Sequence, residues 1–227
     1  MTQSHFTGGT IVPPAPSLAS RGGVVGKHHF TGELVADFSG ARVVYFESHL
    51  EMQVLEVLRA RPDVADVAEQ PPRVTWRDGS GVVRHHTFDF LVTLRSGERV
   101  AVAVKPAARV ISSGVRVALA EIAAQIDPAF AARIVLVTDR DTDPVEVRNA
   151  TLLNRLGPVC PDALAAVTSV VRTMGGASPI GAIAKASGAG CAGARAVLSL
   201  VRDGALAPHG RSPITPDTLV APTGVAA

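Results

Sequence analysis

Thr87-Phe88-Asp89-Phe90-Leu91-Val92-Thr93-Leu94, Arg95-Ser96-Gly97-Glu98 and Arg99-Val100-Ala101-Val102-Ala103-Val104-Lys105 form the stretch on which the fold turns. Its apolar residues recur with period two, as strands require. A strand over residues 84–94 sets Phe88, Phe90, Val92 and Leu94 on one face and Thr87, Asp89, Leu91 and Thr93 on the other. A second, over 99–105, separates Val100, Val102 and Val104 from Ala101, Ala103 and Lys105. The two apolar faces must coincide, because a slip of one residue turns a whole strand over. A three-residue turn with Gly97 left-handed supplies such a register and pairs Asp89 with Lys105 about Gly97. An acid and a lysine therefore stand side by side in apolar surroundings. Of the 22 basic residues, Lys27, Lys105 and Lys185 alone are lysines. A lysine on an apolar strand of an arginine-rich chain needs a local reason.

Outward from this hairpin, Leu50, Val54, Val57 and Leu58 follow i, i+4, i+7, i+8, which predicts an amphipathic helix over 47–58, closed by Pro62. Residues 73–76 read as a strand and Asp78-Gly79-Ser80-Gly81 as a turn. Residues 113–126 read as a helix and 134–138 as a short buried strand. Helix, antiparallel strands, helix and strand in this order predict an α/β sandwich on a mixed sheet. Residues 1–25, rich in Gly, Pro, Ser and Thr, read as a mobile arm. Glu33-Leu34-Val35 and Arg42-Val43-Val44-Tyr45 are short β-like runs at the start of a domain over 26–155. After Phe130 no Phe, Tyr or Trp occurs. Helical patterns at 161–174, 179–186 and 192–201, followed by a Pro-punctuated tail, have the cadence of a winged helix-turn-helix over 156–227.

Composition narrows the classes. The chain has 227 residues, 47% of them hydrophobic, and a net charge of +2. That describes a globular protein rather than a disordered one. Acidic and basic residues nearly cancel, so any nucleic-acid footprint must be local. Cys160 and Cys191 stand far apart with no companion ligands, a pattern of reduced thiols rather than a disulfide framework or zinc site. No apolar run reaches membrane-spanning length and no leader pattern opens the chain, so a cytoplasmic location and no membrane partner are expected.

An acid beside a lysine on a sheet, with an acid on a preceding helix, suits phosphodiester hydrolysis. Asp89 and Glu51 would hold Mg²⁺ (or Mn²⁺), and Lys105 would steady the charge that develops on the phosphate. Ser48-His49-Leu50-Glu51, Glu69-Gln70-Pro71, Phe88-Asp89-Phe90-Leu91-Val92 and Val104-Lys105-Pro106 together resemble the TnsA-like endonucleases of heteromeric transposases. These belong to the restriction-endonuclease-like PD-(D/E)XK class. Thr138-Asp139, Arg148-Asn149 and Leu152-Leu153 extend the resemblance to residues 20–155 or so. It implies a restriction-endonuclease-like fold, DNA as substrate, a transposase subunit as partner and a homodimer. It also implies roles for Glu51 as helix acid, Asp89 as central metal acid and Lys105 as catalytic lysine. Two positions depart from the pattern. Phe88 stands where proline is usual, and Ala103 replaces the second motif acid. Glu121 and Gln125, one turn apart on the next helix, are candidates for a migrated ligand.

Other polar residues have plainer readings. Gln70 reads as a backbone-bonding turn residue, and His85 and His86 as solvated strand-end histidines. Lys27 and Arg21 are either arm residues or phosphate contacts. In the C-terminal segment Lys185, Arg195, Arg202 and Arg211 are the DNA-binding candidates, although so few cations serve a protein-interaction domain equally well. The expected function is a Mg-dependent DNA endonuclease subunit of a heteromeric transposase. The alternative is a catalytically degenerate nuclease-fold protein acting as a DNA-binding or assembly subunit.

Overall fold

A computed structural model describes residues 13–20, 30–38 and 40–224; Arg21, Lys27, His28 and His29 lie outside the described residues. Strands β1 (Gly32–Asp37) and β2 (Ala41–Phe46) form an antiparallel hairpin. Helix α1 (His49–Ala60) begins at Ser48, whose hydroxyl oxygen accepts from the Glu51 N–H at 3.1 Å. It buries Leu50, Val54 and Leu55, so its apolar side is the expected one. Next come β3 (Val64–Glu69), the hairpin β4 (Val74–Arg77) and β5 (Val83–His86), then β6 (Phe90–Leu94) and β7 (Arg99–Val104). A short α2 (Ala107–Val110), α3 (Val115–Ala123), β8 (Arg133–Val137) and α4 (Pro144–Asn154) complete the α/β part.

The central sheet has the order β3-β6-β7-β8, with β8 parallel to β7 and the other pairs antiparallel. It is the expected mixed sheet, and it carries a core on each face. Phe90, Val92, Val100, Val102 and Val104 pack with Val54 and Leu55 of α1 and Val44 of β2. Leu91, Ala101 and Ala103 pack on the opposite face with Leu119 and Ile122 of α3 and with Trp76. Arg42, buried on β2, joins the hairpin to β3 through Asp66 Oδ1 at 2.9 Å and the Val67 carbonyl.

Three expectations change. The strand expected over 84–94 is two strands, β5 and β6, separated by a bend at Asp89. Strand β3 escaped sequence reading because its register shifts between Val64 and Asp66, which spoils the alternation. Residues 13–20, within the stretch read as an arm, contact the α/β part. Ala15 bridges Arg42, the Ser17 hydroxyl donates to Glu69, and the Ser20 N–H donates to the Gln70 carbonyl at 2.9 Å.

The C-terminal segment contains α5 (Pro161–Arg172), β9 (Ser178–Pro179), α6 (Ile180–Ala186), α7 (Cys191–Arg202), β10 (Leu206–Pro208) and β11 (Leu219–Pro222). Its three short strands order as β10-β11-β9, and its own core holds Val167, Ile183, Val197, Leu200, Leu206 and Val220. Gly193 lets α7 cross α6 closely, since a Cβ there would lie 2.9 Å from the Ala184 carbonyl oxygen.

Helix α4 joins the two parts. Leu153 enters the C-terminal core, while the Asn154 amide donates to the Glu56 carbonyl at 2.8 Å. The Asn149 amide donates to Ser212 O at 3.0 Å and its oxygen accepts the Ile214 N–H at 2.8 Å. The segment between β10 and β11 is thereby held to α4. Asn149→Ala removes both bonds and should cost about 1–2 kcal/mol, or roughly 2–8 °C in Tm for a chain of this size. Limited proteolysis should then shift from residues 155–160 toward 209–218; unchanged cleavage and Tm would show that Asn149 does not hold this segment.

Candidate functional site

Asp89 uses three polar groups to tie three strands together. Its N–H donates to Val102 O at 3.0 Å, its carbonyl accepts the Gln70 N–H at 2.9 Å, and its Oδ2 accepts the Val104 N–H at 2.6 Å. The side chain continues the ladder where the strand bends away. Phe88, almost wholly buried, anchors the bend in the α3-side core with Trp76 and Ala103. It was expected beside Phe90, but the break in the strand turns it to the other face.

The register corrects the pairing of Asp89 with Lys105. Phe90 faces Val102 and Leu91 faces Ala101, so Asp89 comes opposite Ala103, with Lys105 two residues farther on. The hairpin loop is Arg95-Ser96-Gly97, closed by Leu94 N–H to Glu98 O at 2.8 Å. Gly97, with φ of 87°, is the last residue of that loop and not its centre. The pairing shifts by two residues, which leaves the faces as expected. Lys105 is half-buried, and its N–H donates to Val137 O at 3.0 Å, so it sits where the parallel pair β7 and β8 ends.

Ala103 is 3% exposed, and its methyl packs with Phe88, Leu119 and Ile122. It offers no donor atom at the place nearest Asp89. Glu121 and Gln125 do not replace it. Glu121 accepts from Trp76 Nε1 at 3.1 Å and from the Gly79 N–H at 2.9 Å. Gln125 pairs with the Arg77 N–H at 3.0 Å and carbonyl at 2.9 Å. Both tether the β4–β5 hairpin to α3.

Glu51 is committed to its own helix. Its Oε2 accepts the Glu47 N–H at 2.7 Å and its Oε1 accepts the Ser48 hydroxyl at 2.8 Å, a reciprocal cap with Ser48. The Ser-x-x-Glu spacing is a capping signal in the sequence and makes the structural role of Glu51 as definite as any chemical one. Among the described residues no three His, Cys, Asp or Glu side chains converge on one point. Mg²⁺ needs only one or two carboxylates when waters and substrate phosphates complete its shell, so the donor set fits that ion with substrate present and forms no all-protein cage.

Sequence reading passed over Glu69 as a site residue. It is fully buried, takes the Ser17 hydroxyl on Oε1, and has no hydrogen-bond partner on Oε2. Gln70 is a backbone-bonding turn residue with φ of 40°, a left-handed conformation rare outside glycine. A charged residue alternating onto an apolar strand face was the available signal for Glu69.

The histidines divide. His85 is exposed and lies 3.0 Å from Thr75 Oγ1 through its Nδ1. His86 is not solvated as expected: its ring stands edge-on to Phe88 at 4.7 Å, and its Nε2 is buried without a partner. Burial first, and then the nearby Lys105 charge, push its pKa below 6.5. Of the C-terminal candidates, Lys185 and Arg195 are exposed on α6 and α7. Arg202 donates to Ser199 Oγ and Asp203 Oδ1, both at 3.2 Å, and lines a cavity of about 890 Å³ with Arg59, Arg61 and Arg95. Arg211 lines another, of about 660 Å³, with Arg61, Arg140 and Asn149. The four do not share one face: two point into clefts against the α/β part.

Two outcomes follow from these contacts. Glu51→Ala should lower stability by about 1 kcal/mol through loss of the cap, with Glu51→Gln losing less; equal urea midpoints for all three proteins would remove the cap assignment. The neutral imidazole of His86 contributes stability that is whole above pH 6.5 and drains as pH falls toward the lowered folded value. His86→Phe should flatten the fall in urea midpoint between pH 7.5 and 5.5, and an unchanged slope would refute it.

A comparison with curated proteins gives no match to the chain. Residues 61–140 match the family model described as TnsA-like endonuclease N terminal. The match spans about a third of the 227 residues and includes Asp89, Ala103 and Lys105, but begins after Glu51. With an endonuclease domain at this place, DNA is the substrate class, and no helix among the described residues is long and apolar enough to cross a membrane. Residues 61–140, which carry all four strands of the central sheet and the junction of Asp89 with β7, are the segment in which a TnsA-like endonuclease N-terminal domain is detected.

Proposed function

We propose that the chain is a DNA endonuclease subunit of a heteromeric transposase or a related mobile-element system. One observation carries this reading: the TnsA-like segment brings Asp89 and Lys105 to the same end of the sheet. Mg²⁺ (or Mn²⁺), held by Asp89 with help from Glu51, would supply Lewis-acid activation of the scissile phosphate. Asp89 is held at its place by Val102, Val104 and Gln70, which fixes the carboxylate before substrate arrives. Lys105, on the last position of the same face, would place its ammonium against the phosphate oxygens. Phe88 and the α3-side core pack behind Ala103 and would close the back of the site. Lys185 and Arg195 on the C-terminal helices, read as a winged-helix unit, would contact DNA, with Arg202 and Arg211 nearer the clefts. A transposase subunit and a second copy of the chain are the proposed protein partners.

Ala103 favours a second reading, a nuclease-fold protein that binds or assembles without cutting. The two separate on cleavage of plasmid DNA with Mg²⁺ or Mn²⁺, with and without a candidate transposase. The nuclease reading expects wild-type cleavage that falls by at least about a hundredfold in Asp89→Ala and Lys105→Ala, the scale on which loss of a stabilising group acts. No wild-type cleavage, but a gain in Ala103→Glu, would establish the second reading. Ala103 is buried opposite Asp89, so the new carboxylate enters an apolar core at a cost of several kcal/mol unless a cation meets it, and circular dichroism must accompany the assay.

A further inference from the structure

The turn between α2 and α3 is separated from Lys105 by Pro106 and the single turn of α2, and it carries the most exposed large apolar side chain among the described residues. Ile111 is 93% exposed and Val117, at the start of α3, 65% exposed. Such exposure has no structural benefit, because burying an isoleucine is worth about 1.5–3 kcal/mol. The backbone is well held: Arg109 N–H donates to Pro106 O at 2.8 Å and Ser113 N–H to Arg109 O at 3.0 Å. Gly114, left-handed at φ of 64°, turns the chain into α3. Ile111 is therefore displayed on an ordered tip.

Cations flank that tip. Arg109 and Arg116 are exposed, and neither guanidinium forms an ion pair among the described residues at hydrogen-bonding distance; Asp141 is held below its usual pKa first by the Thr138 hydroxyl and N–H, and only last by the Arg116 charge. The tip lies at the end of the sheet that holds the site. Lys105 N–H bonds Val137 O, and Ala107 N–H donates to Asp139 Oδ1 at 2.5 Å, so α2 is fastened beside the loop that follows β8.

We propose that this turn is a DNA-contact element, in which Arg109 and Arg116 take backbone phosphates on either side and Ile111 inserts against the bases between them. The charge pattern selects this occupant: unpaired arginines bracketing an apolar wedge match a polyanion with a stackable interior. The inference rests on the reading of the domain as a DNA nuclease and adds the surface that would hold the duplex next to Lys105.

The test uses the full chain and a 30-base-pair duplex in EDTA, so that binding is read apart from cleavage. Fluorescence anisotropy at several salt concentrations should show the slope of log K on log salt falling by about 0.9 for Arg109→Ala and again for Arg116→Ala. A duplex containing 2-aminopurine should brighten on binding wild type, but not on binding Ile111→Ala. The substituted positions are exposed, so the fold should be spared, and circular dichroism checks it. Unchanged slopes with unchanged 2-aminopurine signal would overturn the proposal. So would DNA binding that survives Ile111→Glu while a transposase-dependent cleavage is lost, which would make the turn a protein surface. Absence of wild-type cleavage together with the expected slopes would sink the nuclease reading and leave the DNA contact standing.

Discussion

The knot at Asp89 is the constraint on which the site depends. One residue gives its N–H to β7, its carbonyl to the Gln70 N–H after β3, and a carboxylate oxygen to β7 again. A carboxylate accepting a backbone N–H is among the stronger hydrogen bonds available, and here it replaces a ladder bond where the strand bends. The same bend turns Phe88 into the α3-side core, while Phe90 stays on the α1 side. Loss of the bend would therefore shift a carboxylate, a strand register and a core aromatic together. Chemical and structural demands on Asp89 coincide, so its presence alone does not distinguish a cutting enzyme from a protein that keeps the fold.

Glu51 shows the same double claim in a simpler form. Both of its oxygens satisfy the N-terminus of α1 through Glu47 and Ser48. A helix acid that caps its helix is preorganised, because its rotamer is held before any ligand arrives. Lys105 differs. Among the described residues its ammonium has no ion-pair partner, and its charge is felt by His86 across a partly buried space. Of the three candidate residues it is the one whose presence the fold explains least, and a lysine in an arginine-rich chain is consistent with a use for that ammonium.

The relation between the two parts of the chain is set by α4, which the sequence hides. Its pattern is weak because only Ala150 and Leu153 are buried and β-branched residues occupy several turns. Yet Asn149 and Asn154 reach opposite neighbours, the β10–β11 segment and α1. Gly204 adds a close approach, since a Cβ there would meet Pro62 at 2.9 Å. These contacts draw Arg202 and Arg211 toward clefts against the α/β part, so of the four candidates Lys185 and Arg195 are the ones exposed on the C-terminal helices.

The sequence by itself determined what periodicity controls. Strict alternation in Val100-Ala101-Val102-Ala103-Val104 dictated which residues share a face, and the two-faced burial of the mixed sheet followed from it. The spacing of Leu50, Val54 and Leu58 dictated α1, and the ordered motifs around Asp89 and Lys105 pointed to the family that residues 61–140 match. Tertiary structure decided what alternation cannot encode. The pairing of Asp89 with Ala103 depends on where in a three-residue loop the left-handed Gly97 falls, and a shift of two residues leaves every face unchanged. The break at Asp89 depends on a side chain outcompeting a strand's own ladder, which no local propensity reports. Glu121, an attractive spare acid in one dimension, is spent on Trp76 and Gly79 because the β4–β5 hairpin folds across α3. Each of these outcomes rests on contacts between residues distant in the chain, and local pattern carries no information about which distant partner a residue meets.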